Sequence, residues 1–258
     1  MPLTNIGEIA HDASRTSGLE WLGRLPNRVA STVEDVITRS SLNLPAGEFS
    51  YLEVGDGEPV VLLHALGRGA ADWTTVMEAM SDGWRCLALD QRGHGDSVRC
   101  NEYSFESMER DLRSFVDALR LDRFFLVAHS MGGTVGWLFA RRTPERLHGL
   151  VIEDTPPPSD RHVYPEVSDT PPEQISYDWG ARRQLFRQLN SPDPSWWTEL
   201  ERITIPTLVI AGSANHDELE EATRRLPNGK LITIESGHWI HETRPDAFVK
   251  TIRTFFEN

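Results

Sequence analysis

The sequence is poor in cysteine and has no long apolar run. Its 258 residues include two cysteines, Cys86 and Cys100, and neither belongs to a CxxC pair. Two cysteines cannot build a disulfide framework, so the sequence favours a reducing compartment. Cys86 lies within an apolar run, which predicts a buried side chain. No uninterrupted apolar stretch is long enough to span a bilayer, which argues against a transmembrane protein.

The first residues do not show the pattern of a secretory signal, so none is expected, and the sequence has no excess of positive charge. The opening stretch Met1-Pro2-Leu3-Thr4-Asn5 has neither a basic start nor an apolar core. Together with the scarcity of cysteine, this predicts a cytoplasmic protein. The net charge is −13, and nucleic acids and anionic membranes are bound through basic faces. We therefore expect a small-molecule substrate, with neither a nucleic-acid nor a membrane partner.

What the sequence does contain is an alternation of short β-rich runs with amphipathic segments. The β-rich runs are Glu48–Val54, Pro59–His64, Arg85–Leu89, Phe124–Ala128, Leu147–Glu153, Thr207–Ala211 and Leu231–Ile234. Between them, segments such as Phe105–Leu119 repeat apolar residues at helical spacing. Several of the runs are continuously apolar, which is typical of strands covered on both faces. The alternation therefore predicts an α/β fold with a mostly parallel twisted sheet flanked by helices.

Two segments depart from this alternation. Residues 1–45 are predicted to be an N-terminal helical extension, in which Ser31 and Glu34 have the spacing of a capping box. Residues 155–203 are rich in proline and contain no strand-like run, which predicts a short helical insertion of the kind that caps a core domain. The predicted core then comprises residues 46–154 and 204–258.

The stretch Val127-Ala128-His129-Ser130-Met131-Gly132-Gly133 places a serine between a buried strand and a helix. A strand, a sharp turn and a helix lift one side chain clear of the sheet edge and strain its backbone, so the neighbours must be small. The helix also directs free N–H groups at the reacting centre, which favours negative charge there. The pattern is that of a nucleophile elbow with alanine at the first glycine position. It predicts that Ser130 is a nucleophile; the alternative is a serine that only caps the helix.

A serine nucleophile needs a base, and three histidines have to be compared. His238 follows the last strand run in a loop, Ser236-Gly237-His238-Trp239, from which it can face Ser130. His94 is bracketed by glycines, which indicates a tight turn and a structural role. His241 comes just before a predicted helix start and is expected to be solvated. We therefore expect His238 to be the base.

The developing oxyanion needs hydrogen-bond donors. Ala65-Leu66-Gly67 follows a strand run, and a loop of small residues lets backbone amides approach a ligand closely. We expect the backbone amides of Leu66 and Met131 to be these donors, while His64 braces the loop. An ordinary connection between a strand and a helix would look the same in this loop alone.

Four motifs in this order resemble the α/β-hydrolase superfamily: His64-Ala65-Leu66-Gly67, the stretch Asp90–Ser97, the elbow at Ser130, and Gly237-His238. The resemblance covers the chain from about residue 46 onward. It implies a Ser–acid–His triad, and a cap inserted after the sixth family strand, where residues 155–203 lie. A serine nucleophile argues against the dehalogenase and epoxide-hydrolase branches, which use aspartate.

The resemblance implies two possible positions for the acid. Most members carry an aspartate just beyond the strand written here as Thr207–Ala211, but this sequence has Asn215 there and Asp217 two residues later. Other members take the acid from the end of the preceding strand, where this sequence has Glu153 and Asp154. Adjacent strand residues face opposite ways, so at most one of that pair can enter the site. We favour Asp154 and keep Asp217 as the alternative.

These residues predict a hydrolase of the carboxylic-ester type that works through an acyl-enzyme and needs no cofactor or metal. The expected substrate is an ester, lactone or thioester of a small, largely apolar molecule. Two alternatives remain open from the sequence. One is a ligand-binding receptor or signalling protein on the same fold with slow turnover; the other is a hydrolase that cleaves a carbon–carbon bond beside a ketone.

Overall fold

A single sheet underlies the fold. The computed structural model describes residues 36–258, except residues 172–173 and 213–215. The strands of this part of the chain are β1 (Thr38–Leu44), β2 (Gly47–Val54), β3 (Glu58–Leu63), β4 (Trp84–Leu89), β5 (Phe124–His129), β6 (Leu147–Glu153), β7 (Thr207–Ala211) and β8 (Gly229–Thr233). They lie in the order β1-β2-β4-β3-β5-β6-β7-β8. Pairing is antiparallel for β1 with β2 and for β2 with β4, and parallel elsewhere, which confirms the mostly parallel sheet.

Helices cover both faces of the sheet. They are α1 (Thr74–Met80), α2 (Phe105–Ala118), α3 (Met131–Arg142), α4 (Trp179–Leu189), α5 (Ser195–Thr198), α6 (His216–Arg225), α7 (Ile240–Thr243) and α8 (Pro245–Phe256). Side chains of α2, α3 and α6 share a buried cluster with one face of the sheet, while α1 and α8 pack on the other face. Neighbours in β5 divide between the faces: Leu126 and Ala128 join the first cluster and Val127 the second. This two-sided burial explains why the run is continuously apolar.

The first strand lies within the segment that the sequence predicted as a helical extension, residues 1–45. The described part of that segment, residues 36–45, contains β1, so a strand of the sheet replaces the predicted helix there. β1 is an edge strand whose residues are mostly exposed and polar, and only Leu42 and Leu44 join or contact the core cluster. A strand of this composition has no apolar signature in the sequence. The predicted capping box of Ser31 and Glu34 lies outside the described residues.

Residues 155–203 connect β6 to β7 and, where described, contain α4, α5 and a 3-10 turn at Leu200–Arg202 but no strand. We refer to this segment as the cap. The Tyr103 hydroxyl, just before α2, donates to Asp178 Oδ2 at 2.7 Å, and the Phe105 amide donates to Gln188 Oε1 at 2.9 Å. The cap is therefore attached above the amino end of α2, on the side of the sheet where the parallel strands end.

Two further expectations can be compared with the described residues. Cys86 is fully buried, and burial raises the pKa of its thiol to about 12, which fits its interpretation as a small core side chain. In the part of the chain that the structure describes, no helix combines the length and the apolar character needed to cross a membrane.

Candidate active site

Ser130 lies in a strained turn between β5 and α3. Its φ of 52° and ψ of −117° fall in a region that residues other than glycine rarely adopt. Two hydrogen bonds hold the turn: the Ser130 amide donates to Thr155 Oγ1 at 2.7 Å, and that hydroxyl donates to the Glu153 carbonyl at 2.6 Å. The strain is therefore maintained from the end of the neighbouring strand, as expected for a backbone conformation that serves a site. Sequence reasoning did not identify this role of Thr155.

The small residues around Ser130 are required by close approach. A Cβ at Gly132 would lie 2.6 Å from the Leu63 carbonyl oxygen, and a Cβ at Gly133 would lie 2.7 Å from Thr155 Cβ. Alanine at position 128 is accommodated from the other side, because a Cβ at Gly136 would lie 3.1 Å from Ala128 Cβ. Gly136, one turn into α3, thus leaves room for the Cβ of Ala128, which stands where the elbow pattern has its first glycine.

Asp154 and His238 are hydrogen-bonded to each other. Asp154 Oδ2 lies 2.9 Å from His238 Nδ1, while Oδ1 accepts from the Gly212 amide at 3.0 Å. The Asp154 side chain is fully buried, with a backbone φ of 42°, and about a third of the His238 side chain is exposed. A carboxylate that accepts from Nδ1 fixes the ring proton there and leaves Nε2 free to accept a proton.

The alternative acid lies elsewhere. Asp217 is the second residue of α6, and its side chain is fully exposed. There it lies 4.0 Å from His216. Its place in the first turn of α6 is one where an acidic side chain is favoured by the helix dipole. Asn215, at the position where most relatives carry their aspartate, lies outside the described residues.

The amides expected to hold an oxyanion differ from their neighbours in their hydrogen bonding. The amides of Ser130 and Gly132 donate to Thr155 and to the His64 carbonyl, and the Gly67 amide donates to His94 Nε2. No described residue accepts from the amides of Leu66 or Met131. Met131 is the first residue of α3, where amides have no partner within the helix. These two amides are therefore available to a ligand.

One cavity of about 470 Å³ joins these groups. Ser130, His238, Asp154, Leu66 and Met131 all line it. Its other walls come from the carboxyl edge of the sheet, from α2 and from the cap, and include several apolar side chains. These are Phe105, Leu185, Phe186 and Leu189, with prolines 156–158. The arrangement brings a hydroxyl, a carboxylate-oriented imidazole and two free amides to one largely apolar space, which is what acyl transfer requires.

The loop that carries Leu66 is supported by two buried histidines and by the cap. We expected His64 and His94 to have structural roles, and both are fully buried beside this loop. Burial, followed by the neighbouring His64, lowers the pKa of His94 to about 3, so its ring is neutral. Its Nε2 then accepts from the Gly67 amide at 3.0 Å. Tyr177 of the cap stacks in parallel on the His94 ring, with ring centroids 5.3 Å apart, so cap and loop are joined here.

The loop that carries His238 is held by a buried carboxylate. Glu153 Oε1 accepts from the amides of Ile240 and His241 at 2.6 and 2.9 Å, and Glu153 Oε2 lies 2.7 Å from His241 Nδ1. The expectation that His241 is solvated is wrong: its side chain is 1% exposed and stacks on Trp73, with ring centroids 4.2 Å apart. The ring is buried because the carboxylate beneath it satisfies Nδ1.

His129, the residue before Ser130, completes this support. Its Nε2 lies 2.8 Å from the His238 carbonyl oxygen. Burial lowers the pKa of His129 to about 4, so the ring is neutral near pH 7 and donates from Nε2. Burial alone would raise the pKa of Glu153, but His129, His241 and the donated hydrogen bonds outweigh it and lower that pKa. Glu153 is therefore an ionised carboxylate that fixes the backbone two and three residues after His238, while His129 contacts the His238 carbonyl.

Three groups of described side chains are close enough to share a metal ion. They are His129 with Glu153 and His241; Asp72 with His241 and Glu242; and His216 with Asp217 and Glu220. In the first group, which is buried, the Glu153 carboxylate already accepts two amides and a ring N–H. The other two groups include exposed carboxylates, which commonly lie close together without binding a metal. The first group is thus built as an internal hydrogen-bond network.

The chain is similar to known proteins over most of its length. The family model described as "alpha/beta hydrolase fold" matches residues 58–191. The sn-1-specific diacylglycerol lipase ABHD11 of Mus musculus is 26% identical, over 89% of this chain and 93% of the lipase. Both solved structures that follow are less than 25% identical and show likeness in fold. The enol-lactonase of Burkholderia xenovorans LB400 has a TM-score of 0.78 and 21% identity over 85% of this chain and all of the lactonase. A thermophilic esterase of Thermogutta terrifontis has a TM-score of 0.73 and 23% identity over 85% and 98% of the two chains.

Proposed function

The chain belongs to the α/β-hydrolase family and is a hydrolase, and on that premise we propose that it is a serine hydrolase that cleaves an ester, lactone or thioester through an acyl-enzyme. The observation that carries the proposal is the 2.9 Å contact between the buried Asp154 carboxylate and His238 Nδ1, on the cavity that Ser130 also lines. A buried carboxylate that orients an imidazole on a cavity shared with a serine hydroxyl is the arrangement from which serine can be activated.

In the proposed reaction, His238 Nε2 takes the Ser130 proton as Ser130 Oγ attacks the substrate carbonyl. The amides of Leu66 and Met131 donate to the oxyanion of the tetrahedral intermediate. His238 then gives its proton to the leaving group, and the acyl-enzyme forms. Water, deprotonated by the same nitrogen, releases the acid and restores Ser130. Asp154 holds the ring and stabilises its positive charge in both steps without itself becoming protonated.

The cavity supports a small substrate with an apolar body. Its lining includes four prolines, three leucines and two phenylalanines, and its volume of about 470 Å³ is within the range of small-molecule sites. The three similar proteins named above, a diacylglycerol lipase, an enol-lactonase and an esterase, hydrolyse carboxylic esters. They support ester chemistry and leave the acyl and leaving groups to experiment.

The proposal is tested with a fluorophosphonate probe and a matched series of p-nitrophenyl esters, aryl lactones and thioesters. The wild-type protein should be labelled at Ser130 and should turn over at least one class repeatedly, while Ser130→Ala should lose labelling and turnover. Ser159→Ala is the matched control, because Ser159 lines the same cavity and lies outside the proposed triad. Its activity should stay within about threefold of wild type.

Two outcomes would contradict the proposal. Turnover that survives Ser130→Ala would remove the serine from the mechanism. Labelling of Ser130 that is followed by one slow turnover and tight retention of the ligand would instead indicate a receptor on the same fold.

A further inference from the structure

One cationic side chain in the cavity has no acidic partner among the residues that the structure describes. Arg182, in the cap helix α4, lines the cavity, and its guanidinium carbon lies 4.6 Å from the centroid of the Phe186 ring. It also lies 5.6 Å from the Trp179 ring. Among the described residues, no carboxylate or carbonyl is hydrogen-bonded to it. Its neighbour Arg183, by contrast, pairs with Asp169 at 2.6 Å.

Stacking on an aromatic face fixes the direction in which this guanidinium can bind. The ring contacts occupy the flat face of the group, and its N–H donors lie in its plane. A planar acceptor that approaches along that plane can take two parallel hydrogen bonds, which is how arginine recognises a carboxylate. The structure thus presents a pre-oriented fork at the cavity wall.

Tyr164 adds a second polar group to the same wall. Its ring packs against Phe186, with ring centroids 4.9 Å apart, and it also lines the cavity. No described residue forms a hydrogen bond with its hydroxyl, although the Tyr164 amide donates to Asn190 Oδ1. Burial, followed by the negative charge of Glu218, raises the pKa of this phenol, so at neutral pH the hydroxyl is an available donor.

The other charged groups of the cavity are already engaged within the described residues. Asp154 is the carboxylate among the lining residues, and it is hydrogen-bonded to His238 and to the Gly212 amide. His162, on the cap side, pairs with Glu218 at 2.8 Å. The wall formed by Arg182, Tyr164 and Phe186 therefore offers positive charge and N–H and O–H donors to which no described carboxylate is hydrogen-bonded.

We propose that this wall binds a carboxylate on the acyl part of the substrate, so that the protein prefers esters, lactones or thioesters with an anionic end. The inference rests on the proposed function, because it specifies the substrate of the same site. The fork binds the distal carboxylate while the apolar walls hold the connecting chain. The protein as a whole carries a net charge of −13, so a local cation is needed to retain an anion in this cavity.

The test compares two ester series that differ only in the distal group. One series consists of p-nitrophenyl half-esters of adipate, pimelate and suberate, whose chains are too long for ready intramolecular attack by the carboxylate. In the other, an isopropyl group of similar shape replaces the carboxylate. The wild-type protein should have a higher kcat/KM for the half-esters at the chain length that spans from Ser130 to Arg182. Because the contact is electrostatic, added salt should reduce that preference.

Arg182→Met should lower kcat/KM for the best half-ester by about 10- to 100-fold, the effect of removing a charge-assisted hydrogen-bonded pair. Turnover of the isopropyl ester should change by less than about threefold, since packing is nearly preserved. Tyr164→Phe should show a smaller loss confined to the half-esters. Arg187→Met is the matched control, because Arg187 is an exposed arginine of the same helix, and it should leave both series unchanged.

A direct binding measurement separates this inference from the proposed function. Adipate or suberate should raise the unfolding temperature of Ser130→Ala, and the combined Ser130→Ala, Arg182→Met variant should lose that shift. Equal wild-type kcat/KM for the two series, or equal losses in both on Arg182→Met, would overturn the carboxylate site while leaving serine hydrolysis intact. Failure of every ester together with absent labelling at Ser130 would instead overturn the proposed function and, with it, this inference.

Discussion

Replacing Asp154 by asparagine should disable the proposed base through its tautomer rather than through its position. Among the described residues, Asp154 Oδ1 accepts from the Gly212 amide, and Oδ2 contacts His238 Nδ1. In Asp154→Asn the amide oxygen must face the Gly212 N–H, because two donors would otherwise meet. The new NH₂ group then donates to His238 Nδ1. The ring proton is displaced to Nε2, the nitrogen that has to take the Ser130 proton.

The magnitude follows from this exchange of donor and acceptor. A tautomer with Nε2 protonated cannot act as a general base, and the imidazolium loses the carboxylate that stabilises it. The same replacement in a serine-protease triad lowers kcat by about 10⁴-fold with the geometry intact. We expect a loss of that order here, with little change in KM, since Asp154 is fully buried and acts through its contact with His238.

The assay is steady-state hydrolysis of the best p-nitrophenyl ester, with the rate of fluorophosphonate labelling of Ser130 as an independent readout. Both rates should fall together in Asp154→Asn. Asp217→Asn is the matched control, because Asp217 is the alternative acid and is fully exposed. That variant should keep kcat within about twofold of wild type, since an exposed charge contributes little. Circular dichroism of both variants checks that each is folded.

A collapse of turnover in Asp217→Asn with near-normal turnover in Asp154→Asn would refute the assignment. So would an Asp154→Asn variant whose labelling rate is unchanged, because the base would then not depend on this carboxylate.

Two further predictions concern the buried support of the site. Glu153→Gln should lower the free energy of unfolding by about 1–3 kcal/mol, since one of several donors to the carboxylate must lose its acceptor; urea titration with an unchanged m-value measures this, and a loss below about 0.5 kcal/mol would contradict the role of Glu153. Burial lowers the pKa of His129 to about 4 and that of His94 to about 3, against 6.5 in the unfolded chain. For each histidine, the free energy of unfolding should therefore fall by about 2 kcal/mol as the pH is lowered from about 8 to about 5. The unfolded chain binds these protons first, so stability falls as pH falls; His94→Gln should reduce the slope of unfolding free energy against pH, and an unchanged slope would contradict this reasoning.

The strands were predictable where they carry apolar residues, and the polar strand β1 was missed. All seven β-rich runs overlap strands: β6 and β7 are apolar and buried on both faces, and the partly exposed edge strand β8 still carries Leu231 and Ile232. β1 is bound by backbone pairing to β2, with Thr38 opposite Glu53 and Leu44 opposite Gly47. Backbone hydrogen bonds have no side-chain signature, so a polar edge strand cannot be recognised from composition alone.

The site also contains residues that could be proposed from the sequence and supporting residues that could not. Ser130 and His238 could be proposed from local sequence because each follows a strand run in a recognisable motif. Asp154 was proposed from the family resemblance, which left Asp217 as an alternative. The support of these residues could not be predicted, because it depends on contacts between distant segments. Glu153 and His241 are 88 positions apart and in hydrogen-bond contact, and a histidine before a predicted helix start gives no sign that a carboxylate lies beneath it.

The end of β6 explains how this chain can place an acid there instead of after β7. Glu153 and Asp154 are consecutive, both fully buried, and point to different partners. Asp154 contacts the His238 ring, and Glu153 contacts the backbone two and three residues later. One strand end thus fixes both the ring and the loop that carries it. An acid after β7 would orient the ring, but the loop would then have to be held by another group. Because Glu153 holds the loop that carries His238, Glu153→Gln should lower kcat, although Glu153 does not line the cavity.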